Sequence, residues 1–478
     1  MAVVGGGLSG VLFALKLSRA RPDFRVVVIQ SGRRLGRGVA YGACSPQHLL
    51  NVPVSRMEVG LKPGFGEWLS TTDHARTAMA PALVESDNDL QGAFAPRALF
   101  GDYLQARVSE ALITGRGPGL AAVRGEVVRV TVSGGPRIRL ADGREVEADM
   151  VVLATGNMAP RAPSRPDGWI QDSPWFTPDP WAIDAFDGLD PGAPMLLIGT
   201  GLTTVDIALK LRDAGHRGPL LALSRRGLAP TAHAGGGDWP PFLEDALPAS
   251  PRQLTQLIRH HVALALASGV PWQRVFDAAR PAIPAVWRNW TLAQKRQFLR
   301  HLRTRWDVHR HRMAPRIASA LADLISAGGL TIKAGRISRY TALPGPDGVE
   351  VRYRRKDGSE GFFIAMRVIN CTGPQRDLAE TGIPLIADLR EQGLASPDGL
   401  GLGLETEDGA LLDHRRRPSD CLFALGALTC PSWWEITAVP EISVQVDRLV
   451  AKLAKDDGQD PSDRPLAAED FLDLGAGI

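Results

Sequence analysis

Cysteine is scarce in this 478-residue chain. Cys44, Cys371, Cys421 and Cys430 are scattered, with no CxxC pair and no metal-ligand spacing. The missing pair disfavours disulfide reductases that work through a CxxC dithiol, and no metal site is expected. A reducing, cytoplasmic setting is the expectation. Long apolar runs are also lacking: no segment reaches the roughly 18 residues of a membrane span. No basic-then-apolar leader is expected ahead of the first strand. That strand, Met1 to Val4, is so short that a few residues are expected upstream of it. Charge of one sign is missing as well. The 55 basic and 52 acidic residues leave +3, too little to suggest nucleic acid or a membrane surface as partner. What remains, 44% hydrophobic and 22% charged, is an ordinary globular composition over a length that suits two or three domains.

What the chain does contain is an internal repeat. The first copy runs from the strand "AVV" through the turn "GGGLSG" and a helix to about Ala20, then the strand "RVVVI". It continues with "GLAAVRGEVVRV", a hairpin through "SGGPRIRLADGREVEA", and the strand "MVVLATG". The second copy is "PMLLIG", the turn "GTGLTT", a helix to about Ala214 and "PLLALS". Then come "GLTIKAGRISRY", a hairpin through "GVEVRYRRKDGSEGFF", and "MRVINCTG". Leu120 and Gly125 answer to Leu330 and Gly335, and Thr155-Gly156 to Thr372-Gly373. Alternating strands and helices predict an α/β chain with two Rossmann-type, doubly wound, three-layer dinucleotide-binding domains. The first part, 1–185, is expected to bind one nucleotide. Residues 190–335, with a helical insert at about 237–328, are expected to bind the other. Residues 336–455 supply remaining strands and a return to the first domain. A solvated linker and tail fill 456–478, and the Pro-rich stretch "APRAPSRPDGWIQDSPWFTPDPW" reads as a hinge.

In both turns the chemistry is that of pyrophosphate binding. Gly5 and Gly199 permit the tight turn, and Gly7 and Gly201 let a pyrophosphate approach the backbone. The following helix offers free N–H groups and a positive dipole end. Gly10 allows close helix–strand contact, where the second copy has Thr204. At the end of the second strand, copy two reads Ser224-Arg225-Arg226-Gly227. No acid is there for a ribose 2′-OH, and paired arginines with a serine suit a 2′-phosphate, so NADPH is favoured over NADH; a solvated basic loop is the alternative. Copy one ends in Gln30, where a carboxylate is usual. An amide keeps one accepted and one donated hydrogen bond and loses the charge. FAD is expected here, because the long "GRRLGRGVAYGACSPQHLLNVP" covers an extended ligand.

These motifs resemble the bacterial FAD/NAD(P)-binding proteins of the YdhS type, related in architecture to flavin-dependent N-hydroxylating monooxygenases. The resemblance covers nearly the whole chain. It runs through "GGGLSG", "LGRGVAYG", "HLLNVP", "FAPRALFGDYL", "VVLATG", "IGTGLTTVDIAL", "SRRGLAP", "RWDVHRHRMAP", "INCTGP" and "WEITAVPEI". It implies FAD along Gly5, Gly7, Gly10 and Gln30 with "HLLNVP" near the flavin ring, and NADPH on Gly199, Gly201, Ser224 and Arg225. Two departures bear on flavin affinity: Gln30 replaces the acid at the ribose, and Ala427 follows Gly426 where an Asp is often found. The full expected cofactor set adds Ser9, Arg37, Leu50, Thr155, Gly156, Leu202, Thr203, Arg226, Gly426 and Trp434.

Other residues admit two readings each. Asn51, in "HLLNVP", is either a flavin-facing amide or a turn residue bonding its own backbone. With His48 it makes up the candidate catalytic pair. Arg97 suits a phosphate or substrate carboxylate, or an ion pair with Asp102. A helix from about Leu292 to Met313 is expected to bury Leu299, Leu302, Trp306, His309 and Met313. Arg305 and Arg312 then flank His309, as a positive wall or a solvated face. Trp433 and Trp434 either wall the flavin or pack in the core.

The reading that follows is an NADPH-dependent flavoprotein using O2 on a small amine-type metabolite, through a flavin C4a-hydroperoxide. N-hydroxylation itself rests on the resemblance. Its rivals are an NADPH:acceptor reductase or dehydrogenase without oxygen insertion, and a nucleotide-sensing flavoprotein without turnover.

Overall fold

Short strands of Val, Ile and Leu without alternation belong inside a parallel sheet covered on both faces. β1 (Ala2–Val4) is one, with all three residues buried. In this computed structural model it is followed by α1 (Leu8–Ala20), β2 (Val26–Gln30), α2 (Gly38–Gly42), α3 (Phe65–Thr71), α4 (Asp73–Glu85) and α5 (Arg97–Thr114). The structure describes residues 1–455 except 33, 43, 115–118, 162–166, 169, 245–246, 345–347 and 379–380. The expected linker and tail, 456–478, and part of the Pro-rich hinge lie outside the described residues.

β3 (Leu120–Arg124) leads to an antiparallel meander, β4 (Val127–Thr131), β5 (Arg137–Leu140) and β6 (Glu145–Glu147), and then to β7 (Val151–Leu153). β1 pairs in parallel on both sides, Ala2 facing Val27 of β2 and Val151 of β7. After β8 (Phe176–Thr177) the pattern recurs with β9 (Met195–Ile198), α6 (Leu202–Asp213) and β10 (Leu220–Ser224). The insert comes next: α7 (Pro251–Ala267), α8 (Trp272–Ala279), α9 (Ile283–Asn289), α10 (Leu292–His301), α11 (Arg303–Arg310) and α12 (Pro315–Ser326). β11 (Leu330–Ala334), the meander β12 (Arg336–Ala342), β13 (Val349–Arg354) and β14 (Glu360–Ala365), and β15 (Arg367–Asn370) complete the copy. Met195 lies opposite Leu220 and Arg367, as Ala2 lies opposite Val27 and Val151.

The chain finishes with α13 (Pro384–Glu391), β16 (Thr406–Glu407), β17 (Ala410–Leu412), β18 (Pro418–Ala424) and α14 (Val439–Ala454). The two main sheets run β16-β17-β18-β7-β1-β2-β3 and β11-β10-β9-β15-β8. The expected two-sheet α/β architecture is thus present, duplicated down to the meanders. The second sheet reaches outside 190–335, taking β8 at 176–177 and β15 at 367–370. The outgoing and returning connections lie side by side: Met158 bridges to Gln375, and the Arg161 carbonyl accepts from Asn370 Nδ2 at 3.1 Å.

α1 is buried almost all round, because the first sheet covers one side and α14 another. Its Lys16 escapes the core by donating to Asp447 of α14 at 2.6 Å. The expected helix over 292–313 is two helices. Arg226 donates to the carbonyls of Arg300 and His301, both at 3.1 Å. Those are carbonyls that a continuing helix would have used, and Leu302 marks the break. Met313 is buried beyond α11, in a bridge to Ala232. Among the described residues no helix is long and apolar enough to cross a membrane.

Candidate functional site

The two glycine turns sit at the carboxyl ends of β1 and β9, where each sheet's strand order reverses, the usual ligand crevice of doubly wound folds. They are built alike. Gly5 N donates to Ile29 O and Gly199 N to Leu223 O, both at 2.8 Å. Gly5 has φ +115° and a Cβ on it would lie 2.1 Å from the Ala154 carbonyl oxygen; for Gly199 the values are +122° and 2.5 Å from that of Cys371. A side chain is therefore excluded at both. A Cβ on Gly10 would lie 2.0 Å from the Gly5 oxygen, so α1 presses directly on its turn. Thr204 fills the corresponding place in copy two and is buried.

Gly7 and Gly201 differ in kind. Both have ordinary extended backbone, φ −77° and −84°, and each stands at the N-cap of its helix. Nothing lies within 4 Å of a Cβ on Gly201, and only the Gly38 Cα, at 3.7 Å, near one on Gly7. Neither helix has a side-chain cap or an acid in its first turn. The leading N–H groups, from Leu8, Ser9 and Gly10 and from Leu202 and Thr203, lack intrahelical partners and suit an anion.

At the strand ends the copies stay matched: Gly125 N donates to Gln30 O at 2.9 Å and Gly335 N to Ser224 O at 2.8 Å. Gln30 folds over the first turn, its Oε1 2.0 Å from where a Gly6 Cβ would stand, while Nε2 donates to Gly32 O at 3.1 Å. Oε1, facing the turn, accepts no hydrogen bond among the described residues. The Ser224 hydroxyl is engaged within the loop: it accepts from Gly227 N at 3.0 Å and donates to Thr200 Oγ1 at 2.9 Å, which itself donates to Leu228 O. Ser224 therefore shapes the loop. Arg226, expected on the phosphate, is instead the cap on α10. Arg225 is exposed, with no ion pair or hydrogen bond among the described residues. Only one of the two arginines is free for a 2′-phosphate. Arg225→Gln should raise the NADPH KM about tenfold, the loss of one charge-assisted bond of ~1.5 kcal/mol, and leave NADH unchanged. Initial-rate titrations with both nucleotides check this.

His48 does not act as an available base. Its Nδ1 accepts from Ser45 N at 3.1 Å and its Nε2 donates to the Asp206 carbonyl at 3.2 Å, so neither nitrogen is free. Burial also lowers its pKa, against a smaller opposing pull from Asp206. Arg97 does not pair with Asp102: its guanidinium meets the Asp206 carboxylate at 2.9 Å. Asp102 pairs with Arg37, whose Nε also donates to Gln105 at 3.0 Å. Arg37 thus clamps the 31–42 loop onto α5 rather than reaching for phosphate, because Asp102 and Gln105 share one face of α5. Leu50 is buried and donates its N–H to Ala95 O at 2.8 Å. Asp206, missed in the sequence, ties the "HLLNVP" and "FAPRALFGDYL" segments to α6. The signal was an acid inside the apolar helix "TTVDIAL", which calls for a buried cation.

Asn51 keeps its candidacy. Its carbonyl accepts from His233 Nε2 at 2.8 Å, and its half-buried side-chain amide has no partner among the described residues. Burial, aided by Arg312, pushes His233 down to about 4, so it is a neutral donor here. Gly426, φ +70°, lies against the start of α1: a Cβ on it would stand 2.7 Å from Ser9 Oγ. Gln445 holds that turn by accepting from Gly426 N at 2.8 Å and donating to Thr429 Oγ1 at 2.7 Å.

Trp434 is a core residue, stacked on Trp287 with ring centres 4.5 Å apart. Its neighbour Glu435 accepts from Trp306 Nε1 at 2.6 Å and Arg310 Nε at 2.8 Å. Arg310 also reaches Glu441, which Arg280 grips through two oxygens. Burial alone would raise the Glu441 carboxyl, but Arg280 and then Arg310 outweigh it and hold it at about 2. Arg312 is neither a wall nor a solvated face: it is 2% exposed and paired with Asp277.

One atom tests whether a nucleotide fits the first turn. Thr155 Oγ1 is buried without a hydrogen-bond partner among the described residues, and a Gly5 Cβ would lie 3.1 Å from the Thr155 nitrogen. Such an orphan costs ~1–3 kcal/mol until something bonds it. Together with the open cradle at Gly7, the outward turn of Gly156 (φ +74°) and the Gln30 oxygen, these residues fit a dinucleotide.

Residues 2–158 match the FAD-NAD(P)-binding family model. A search of curated proteins finds no match. The whole fold is similar to known structures at low identity. The cadaverine monooxygenase of desferrioxamine biosynthesis from Erwinia amylovora, bound to FAD, has TM-score 0.65 and 12% identity, covering 95% of this chain and 93% of that one. An ornithine N-hydroxylase from Kutzneria sp. 744 has TM-score 0.63 and 14% identity, over 95% and 98%. A bacillithiol disulfide reductase from Staphylococcus aureus has TM-score 0.53 and 13% identity, over 95% and 97%. The chain is therefore a mixed α/β protein with the two-domain fold of FAD/NAD(P)-binding monooxygenases and reductases, its first third matching an FAD-NAD(P)-binding family.

Proposed function

We propose that the chain is an FAD- and NADPH-dependent oxidoreductase, and within that class a monooxygenase acting on a small amine-type metabolite with O2. The observation that carries the oxidoreductase reading is the duplicated turn. Two open N-caps, Gly7 and Gly201, each offer free N–H groups in the crevice of a separate sheet, one beside Gln30 and one beside Arg225. On this reading 1–185 with the return strand β18 holds FAD, and the second sheet holds NADPH.

FAD, when bound, supplies the electron relay between NADPH and O2. The chain's own work is to bind and orient. The α1 N-terminus and Gly7 take one pyrophosphate, and Thr155 and Gln30 bond the ligand beside it. The α6 N-terminus and Arg225 take the second nucleotide. The Asp206–Arg97 pair and the His48 bond keep the "HLLNVP" loop docked on α6, so Asn51 is presented at a fixed height between the two units. The monooxygenase reading is supported by the fold shared with two amine hydroxylases. It is also supported by the four free cysteines, which include no vicinal pair to accept electrons.

The decisive experiment is an absorbance spectrum of purified protein with added FAD, before and after anaerobic NADPH and then after O2, with ornithine, cadaverine or lysine present. Flavin bleaching by NADPH, followed by amine-dependent hydroxylamine formation, is expected. Oxidation yielding only H2O2 or dye reduction identifies the reductase. A protein that binds neither nucleotide refutes both. Gln30→Glu should tighten FAD about three- to tenfold, because a carboxylate bonding the ribose outweighs the lost bond to Gly32. Unchanged or weaker binding by flavin-fluorescence titration places Gln30 off the ribose.

A further inference from the structure

The insert carries an open-mouthed cavity of about 460 Å³ that shares no residue with the glycine turns. It lies within the ~300–1,000 Å³ range of small-molecule sites. Ile258 and Val262 of α7, Phe276 of α8, Phe298 of α10 and Trp306 of α11 make its walls. The break between α10 and α11 at Leu302 lies on its rim, with Leu302 among the lining residues.

Thr255 and three basic side chains line the same space. Arg259 and Arg305 are exposed, and neither guanidinium has an ion pair or hydrogen bond among the described residues. Arg303, Arg310 and Arg312 in the same segment are paired with carboxylates, whereas the exposed Arg252, Arg296 and Arg300 are also without a side-chain partner among the described residues; what sets Arg259 and Arg305 apart is their place on this cavity. His309 donates from Nδ1 to the Arg305 carbonyl at 2.6 Å and stacks on Phe276 with ring centres 5.5 Å apart. Its Nε2 has no hydrogen-bond partner among the described residues. An apolar body with two unpaired guanidinium groups at its edge is complementary to one kind of ligand.

We propose that this cavity binds a small amphipathic carboxylate, its acyl or aryl body among the aromatic side chains and its carboxylate on Arg259 and Arg305. Guanidinium groups recognise carboxylates in two-bond pairs, and a wall of aromatic rings accepts any flat or linear apolar body. The site is separate from the nucleotide turns and does not depend on what the flavin does. Trp306 lines it and also bonds Glu435, so an occupant touches a residue anchored to the segment before α14.

Calorimetric titration of the full chain with decanoate, 4-phenylbutyrate, 1-decanol and decylamine tests this. Saturable one-to-one binding is expected for at least one of the two anions, with decylamine at least tenfold weaker than decanoate. The surface double variant Arg259→Gln/Arg305→Gln should lose at least tenfold for the anions and leave decanol unchanged, with an unaltered thermal midpoint. Saturable binding by neither anion overturns the proposal. So does equal affinity for decanoate, decanol and decylamine, which marks an unselective apolar groove. Concentration-dependent dimerisation in sedimentation that excludes decanoate overturns it too, because a second copy then covers the face.

Discussion

Gly201→Asp should lower NADPH binding by at least about 100-fold while leaving the apoprotein as stable as before or slightly more so. The two effects have opposite signs because they come from different states. Position 201 has φ −84° and open space where a Cβ would go, so the side chain fits without strain. Asp is a preferred N-cap and exceeds Gly there by a few tenths of a kcal/mol. In the complex, the same carboxylate stands where a doubly charged pyrophosphate must approach. Repulsion of ~3 kcal/mol or more follows at short range in a partly dry site, which is about 100-fold in affinity. Gly7→Asp should do the same to FAD and spare NADPH. Paired titrations with thermal melts of the apo forms check both variants. Gly5→Ala is the contrasting control: its Cβ would collide with Ala154 O at 2.1 Å, so it should lower the melting temperature itself. If Gly201→Asp binds NADPH normally, the second turn is not a pyrophosphate site.

The second large effect lies away from the cofactors. Glu441 is 3% exposed and bonded to Arg280 and Arg310. Glu441→Ala leaves two buried guanidinium groups short of a counter-charge, and breaking such a pair costs ~3–5 kcal/mol. Glu441→Gln should cost less, since the amide oxygen still accepts one bond. Urea unfolding followed by tryptophan fluorescence, with three of the tryptophans (Trp287, Trp306 and Trp434) packed in this cluster, measures both. The pH dependence follows the same group. Its folded pKa, about 2, is below its ordinary value of 4.5. The stabilisation is therefore complete above pH 4.5 and disappears as the pH falls toward 2. Wild type should lose stability over that window more steeply than Glu441→Gln. Equal acid sensitivity in the two would show that other carboxylates govern the transition.

The functional reading and these stability effects depend on different features of the chain, and they were legible to different degrees. The two turns, their helices and the paired meanders could be read from residue order, because they obey local rules. Positive φ at Gly5 and Gly199, close backbone approach at Gly10 and an apolar run ending in a turn each leave their mark within about ten residues. Gln30 was rightly read as a strand end answering Ser224, because both accept from the glycine that opens the next strand pair. The side chains that touch across long loops were not legible. Arg37 was expected on the cofactor and Arg226 on a phosphate, and the sequence left Trp434 open between a flavin wall and the core. Arg97 was left between a phosphate or substrate carboxylate and an ion pair with Asp102, whereas Asp206 holds it from a different sheet's helix. A charge finds whichever opposite charge shares its desolvated space, and only the docking of the insert and of α6 sets that. Local sequence determined two nucleotide-type turns in a duplicated α/β chain; tertiary packing decided which cations stay free to meet a ligand, leaving Arg225 at one turn and Arg259 and Arg305 at the insert cavity.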